Sequence, residues 1–103
     1  MLDVYGTLTV GGADGVELRL LPETIIGYQD AFAEAMRENM TFLLRVSPAI
    51  AGAPTKTIIV TPHTLVTSSI PPITFDPEKA RATAQETLDR ITASSVLLAP
   101  AVE

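Results

Sequence analysis

The chain has no cysteine, a single histidine, and only two lysines among its seven cations. Without cysteine there is no disulfide framework, no thiolate nucleophile and no zinc–thiolate cluster. That composition fits a reducing cytoplasm, which is the expected location. Nowhere do ~18 apolar residues run together, so no segment reads as a membrane span. The opening stretch MLDVYGTLTV carries no basic n-region and no long apolar run, and it is not expected to be a secretory signal. Twelve acids against seven bases leave a formal net charge of −5. The bases are dispersed, whereas a domain that tracks a phosphate backbone needs clustered cations. No nucleic acid and no membrane is therefore expected as a partner.

What the chain does hold points inward. Hydrophobic residues make up 47% of it and charged residues only 18%, and its mean hydropathy is +0.31. At 103 residues it has the length of one domain, taken as 1–103. A domain of that size has a limited interior, so part of the apolar surplus must lie near the surface. A subunit interface accounts for it, and the expectation is a homo-oligomer.

The patterning predicts an α+β fold. Residues 2–10 alternate, with Leu2, Val4, Leu8 and Val10 on one parity and Asp3, Tyr5, Thr7 and Thr9 on the other, the period of a half-buried strand. The glycines of GGADG (11–15) supply hairpin-loop conformations. VELRLL (16–21) then places Val16, Leu18 and Leu20 inward, and Glu17 and Arg19 together on the opposite face. Pro22 stops that strand. Ile25, Tyr28, Phe32, Ala35 and Met36 recur at helical spacing, giving a helix of about residues 26–39 that Asn39 ends. TFLLRV (41–46) is a third strand, SPAIAGAP (47–54) a loop, and TKTIIV (55–60) a fourth strand read as continuing past Pro62 through Val66. TSSIPPITF (67–75) is a connection. Asp76-Pro77-Glu78 opens a second helix running to about Ser94, with a cap, a preset φ and a charge that complements the dipole. SVLLAP (95–100) adds a last strand. The order is ββαββα(β), a mainly antiparallel sheet with two helices on one face.

Few residues carry candidate chemistry. Glu17 and Arg19 share one strand face and can pair with each other or with a ligand. His63 shares the parity of Thr61 and Thr67, away from Ile58, Val60 and Val66, so it is either a base on a polar face or a surface strand histidine. A metal would need carboxylates brought in by the fold, and none is assigned. GGADG lacks the following helix and lysine of a phosphate cradle. The serines at 68, 69, 94 and 95 sit in no nucleophile-elbow context. Tyr28 reads as packing with its hydroxyl at the rim.

The stretches YGTLTVGGADGVELRL, AFAEAM, TFLLRVSPAI, PTKTIIVTPHTLV and FDPEKARATAQETLDRI together resemble the formaldehyde-activating enzyme family. Their order and most spacings match over nearly all of the chain. The resemblance implies a ribosomal-protein-S5-like (domain 2-like) α+β fold assembled as a homopentamer. It also implies a lyase of one-carbon metabolism that condenses formaldehyde with tetrahydromethanopterin in clefts between subunits. The pterin enters as substrate and no cofactor is required. Residue by residue, the family's strand histidine falls at or beside Glu17, which becomes the candidate proton acceptor. The family aspartate falls near Arg19, and the lysine of its Pro/Lys loop corresponds to Lys56. His63 falls where the family often carries a lysine. Glu17 and His63 are thus the candidate catalytic groups, and Arg19, Tyr28 and Lys56 the candidate binding groups. With the family histidine replaced, the expectation is an oligomer that binds a small carbonyl or pterin-like compound at subunit interfaces. The parent condensation, and with it whether the protein is an enzyme, is left open, the alternative being a non-catalytic homo-oligomeric scaffold or binding protein.

Overall fold

The computed structural model describes residues 4–103; Leu2 and Asp3 of the expected first strand lie outside the described residues. The chain is α+β. Strand β1 (Gly6–Val10) and β2 (Val16–Leu20) form the expected hairpin, in register from Gly6↔Leu20 to Val10↔Val16. Its loop holds a single 3-10 turn at Gly12–Asp14, with Gly11 and Gly12 at φ of 91° and 69°. These are left-handed conformations that glycine adopts without steric cost. Along β2 every second residue is buried, so Val16, Leu18 and Leu20 enter the core while Glu17 and Arg19 stay outside.

Helix α1 spans Pro22–Arg37 and starts earlier than the periodicity alone indicates. Pro22, the residue that ends β2, also occupies the first helical turn, where its missing amide costs nothing and its φ is already helical. Asn39 closes the helix as expected. At φ 59° it donates its amide to the Met36 carbonyl, and Met40 donates to that of Ala35, the paired bonds of a Schellman cap. Gly27, costly inside a helix, is explained by α2 (Pro77–Ser94). A β-carbon at Gly27 would stand 2.6 Å from the Thr83 side chain. The alanine-rich face of α2 thus lies directly on α1.

β3 (Phe42–Ser47) pairs antiparallel with β4 (Lys56–Val60) and parallel with β6 (Val96–Pro100). The last strand therefore exists and, among the described residues, makes the one parallel pairing between strands, a single parallel bridge also linking Arg19 to Val102. The strand expected to continue past Pro62 does not: β4 ends at Val60, and β5 (Val66–Ser69) pairs with β1 in the other sheet. The reason is local. Thr61-Pro62-His63-Thr64 is a turn in which the Thr64 amide donates to the Thr61 carbonyl at 3.1 Å, with proline at the position whose φ it presets. The Thr61 amide donates to the Thr64 hydroxyl at 2.8 Å and tightens the same turn. Part of the expected connection 67–75 is accordingly strand.

The strands thus form two three-stranded sheets, ordered β2-β1-β5 and β4-β3-β6. Their inner faces share one core with α1 and α2, including Leu8, Leu18, Phe32, Phe42, Leu44, Ile91 and Leu97. A short segment after β6 joins the sheets. Ala101 donates to the Ser47 carbonyl at the end of β3 and accepts from the Arg19 amide of β2, and Glu103 donates to the Arg19 carbonyl.

Candidate functional site

Where the two sheets meet away from the helices, they leave a cavity of about 430 Å³. Its size lies within the range of ordinary small-molecule sites. The inner-face alternation of β2 and β3 supplies Val16 and Val46 as walls, and the joining segment supplies Ala101. Pro48, Ala53 and Pro54 of the uncharged loop complete the apolar lining. Neither helix contributes a lining residue. Gly15 turns the hairpin end into the wall, and it can be only glycine, because an added β-carbon would lie 1.8 Å from the Val10 carbonyl oxygen.

Two charged residues line this cavity, Glu17 and Lys56. Glu17 comes from the outward parity of β2. Lys56 opens β4 on the same rung as buried Val46, so its stem starts beside the apolar wall, as long amphipathic side chains allow. A neighbouring recess of about 310 Å³ shares Gly15, Val16 and Lys56 and adds Asp14. Lys56 therefore borders both hollows, with one acidic residue at each. Among the described residues the ion pairs are Arg37–Glu34 and Arg90–Glu86, both on helix surfaces, so Glu17 and Lys56 are not engaged with each other. No group of three or more metal-ligating side chains occurs among the described residues.

The other three candidates stand elsewhere. Arg19, two positions beyond Glu17, places its guanidinium 5.4 Å from the centre of the Tyr5 ring, a cation–π contact. Its backbone is taken up by Ala101 and Glu103. Tyr28 is buried in α1 and stacks on Phe32 with ring centroids 6.0 Å apart. Burial pushes its hydroxyl above the ordinary value, and the nearby carboxylates of Glu103 and Glu86 act the same way against the opposing charge of Arg90. His63 is exposed in the turn after β4, where its amide donates to the Thr61 hydroxyl at 3.2 Å. Of the five residues singled out in the sequence, the fold brings Glu17 and Lys56 together.

No known protein family, curated protein or solved structure matches this chain. The site is therefore read from its own residues. Sequence reasoning missed Asp14, Val46 and Ala101. Asp14 reads in the sequence as part of the GGADG turn and Val46 as part of the third strand, both of which they also are. Ala101 had no signal at all, since its place depends on a pairing between the last residues and β2.

Proposed function

We propose that this protein is a diverged, formaldehyde-activating-enzyme-like oligomer that binds a small carbonyl or pterin-like compound in the Glu17–Lys56 cavity. The observation that carries the reading is that one acidic and one basic residue, Glu17 and Lys56, border the same largely apolar cavity of about 430 Å³. A pterin presents a flat apolar face, an N–H edge and a ring carbonyl. Glu17 accepts from the N–H edge, Lys56 donates to the carbonyl oxygen, and the valine, proline and alanine walls cover the ring. Both are hydrogen bonds to a charged group, the stronger class. No resident cofactor is needed, a tetrahydromethanopterin-type compound entering as ligand. The cysteine-free composition suits the cytoplasm. The proposal is binding, with the parent condensation lost along with the family histidine.

Pterin fluorescence titrated with the protein tests this. Saturable binding is expected, weakened about tenfold by Glu17→Gln and by Lys56→Ala, the effect of losing one charge-assisted hydrogen bond. Absence of binding in the wild type would remove the proposal. A formaldehyde–tetrahydromethanopterin assay should give no rate above background, and a clear rate abolished in Glu17→Gln would establish a lyase instead.

A second reading, a homo-oligomeric scaffold, is favoured by the outer face of the β4-β3-β6 sheet. Ile59, Leu43 and Val96 share one rung there, and Leu98 stands on the next beside Arg45. Ile59 and Leu98 are 61% and 62% exposed. Four aliphatic side chains on one solvent-facing surface match the apolar surplus of the composition. A solution mass above one chain, returned to one chain by Ile59→Asp with Leu98→Asp, is the expected result. A wild-type mass of one chain would defeat the self-association.

A further inference from the structure

Lys56 stands where an amine has two uses, as a cation for an anion or as a nucleophile for a carbonyl. The surroundings favour the second. Glu17 lines the same cavity and Asp14 the adjoining recess, so the local formal charge is negative, as is that of the chain at −5. An anionic ligand is repelled there, whereas a neutral aldehyde is not. The walls at Val16, Val46, Ala53 and Ala101 are apolar and accept a short alkyl group. No ion pair among the described residues engages the Lys56 amine.

We infer that Lys56 captures small neutral aldehydes as a reversible imine, with Glu17 as the proton carrier. The amine nitrogen attacks the carbonyl carbon with its free electron pair, a C–N bond forms, the carbonyl pair goes to oxygen, and oxygen takes the proton that the nitrogen gives up. The resulting carbinolamine loses its hydroxyl as water. Glu17 relays a proton to the departing oxygen, the nitrogen pair closes the C=N bond, and the proton lost from nitrogen returns to the Glu17 carboxylate. Amine plus aldehyde gives imine plus water, with no oxidant or reductant.

This rests on the cavity reading above, and the chain supplies its own control. Its other lysine, Lys79, is exposed in the first turn of α2. The full-length protein is treated with acetaldehyde and sodium cyanoborohydride, and ethylation at each lysine is followed by peptide mass mapping. Lys56 is expected to label about tenfold faster than Lys79, with a rate that saturates in acetaldehyde. In Glu17→Gln the ratio should fall toward one while the Lys79 rate holds. Equal labelling of the two lysines in the wild type overturns the inference, and a ratio unchanged in Glu17→Gln overturns the role of Glu17. Pterin titration without reductant separates the two readings. Pterin binding with equal labelling leaves the non-covalent site and removes the imine. Selective labelling without pterin binding keeps the imine and removes the pterin.

Discussion

At the scale of single residues, position decides what a given side chain can do more than its type does. Glu17 and Arg19 are near neighbours on one strand face, yet one lines a cavity and the other lies over the Tyr5 ring. Tyr28 shows the same principle through its acidity. Burial first, then the Glu103 carboxylate, raises its hydroxyl above the ordinary 10.0. The folded state therefore holds this proton more tightly than the unfolded state. The corresponding stability is fully present below pH ~10 and is lost as pH rises from there through the raised folded value. Denaturant titrations between pH 9 and 11.5 should show a steeper alkaline loss in the wild type than in Tyr28→Phe. Parallel curves would mean that the hydroxyl is solvated in the folded protein.

Among the elements, the helix ends are the most local features and the most legible. Asp76 was expected to cap α2, and its Oδ1 accepts from the amides of Glu78 at 3.0 Å and Lys79 at 3.4 Å. Asp76→Ala should lower stability by about 1 kcal/mol, measured by chemical denaturation, with Asp76→Ser recovering most of it. The Asn39 stop and the hairpin at GGADG were readable for the same reason, since each depends on a few adjacent residues. Pro62 was readable only in part. A missing amide suits an edge strand or a bulge, but a proline after a β-branched run suits a turn equally well. Which of these forms depends on whether Val66 finds its partner in β3's sheet or on β1. The pairing Val10↔Val66 chose β1, and that turned a long fourth strand into two strands in different sheets and left His63 in the bend.

For the whole molecule, the joining segment after β6 is the feature with most consequence. Ala101 belongs at once to the bridge between the sheets and to the cavity wall. Glu103 anchors it: one carboxylate oxygen accepts from the Leu21 amide at 2.8 Å and the other from the Thr24 hydroxyl at 2.9 Å. This places a negative charge at the start of α1, where the helix dipole favours it and where Leu21 offers no side-chain cap of its own. Glu103→Ala should cost about 1 kcal/mol of global stability. It should also speed hydrogen exchange at the Arg19 and Leu21 amides well beyond that of Leu44. Uniform acceleration across all amides would reduce Glu103 to a general contributor.

The sequence by itself determined the α+β class, the first hairpin, the presence of both helices, the Asn39 stop and the Asp76 cap, and the inward parity of β2. These follow from periodicity and from hydrogen bonds made within a few residues. Only the tertiary structure decided that there are two sheets, that β6 runs parallel to β3, and that Glu17 and Lys56 share a cavity while Arg19, Tyr28 and His63 do not. Strand pairing and cavity walls are contacts between residues far apart in the chain. Alternation shows which face of a strand is buried, but not which strand lies beside it.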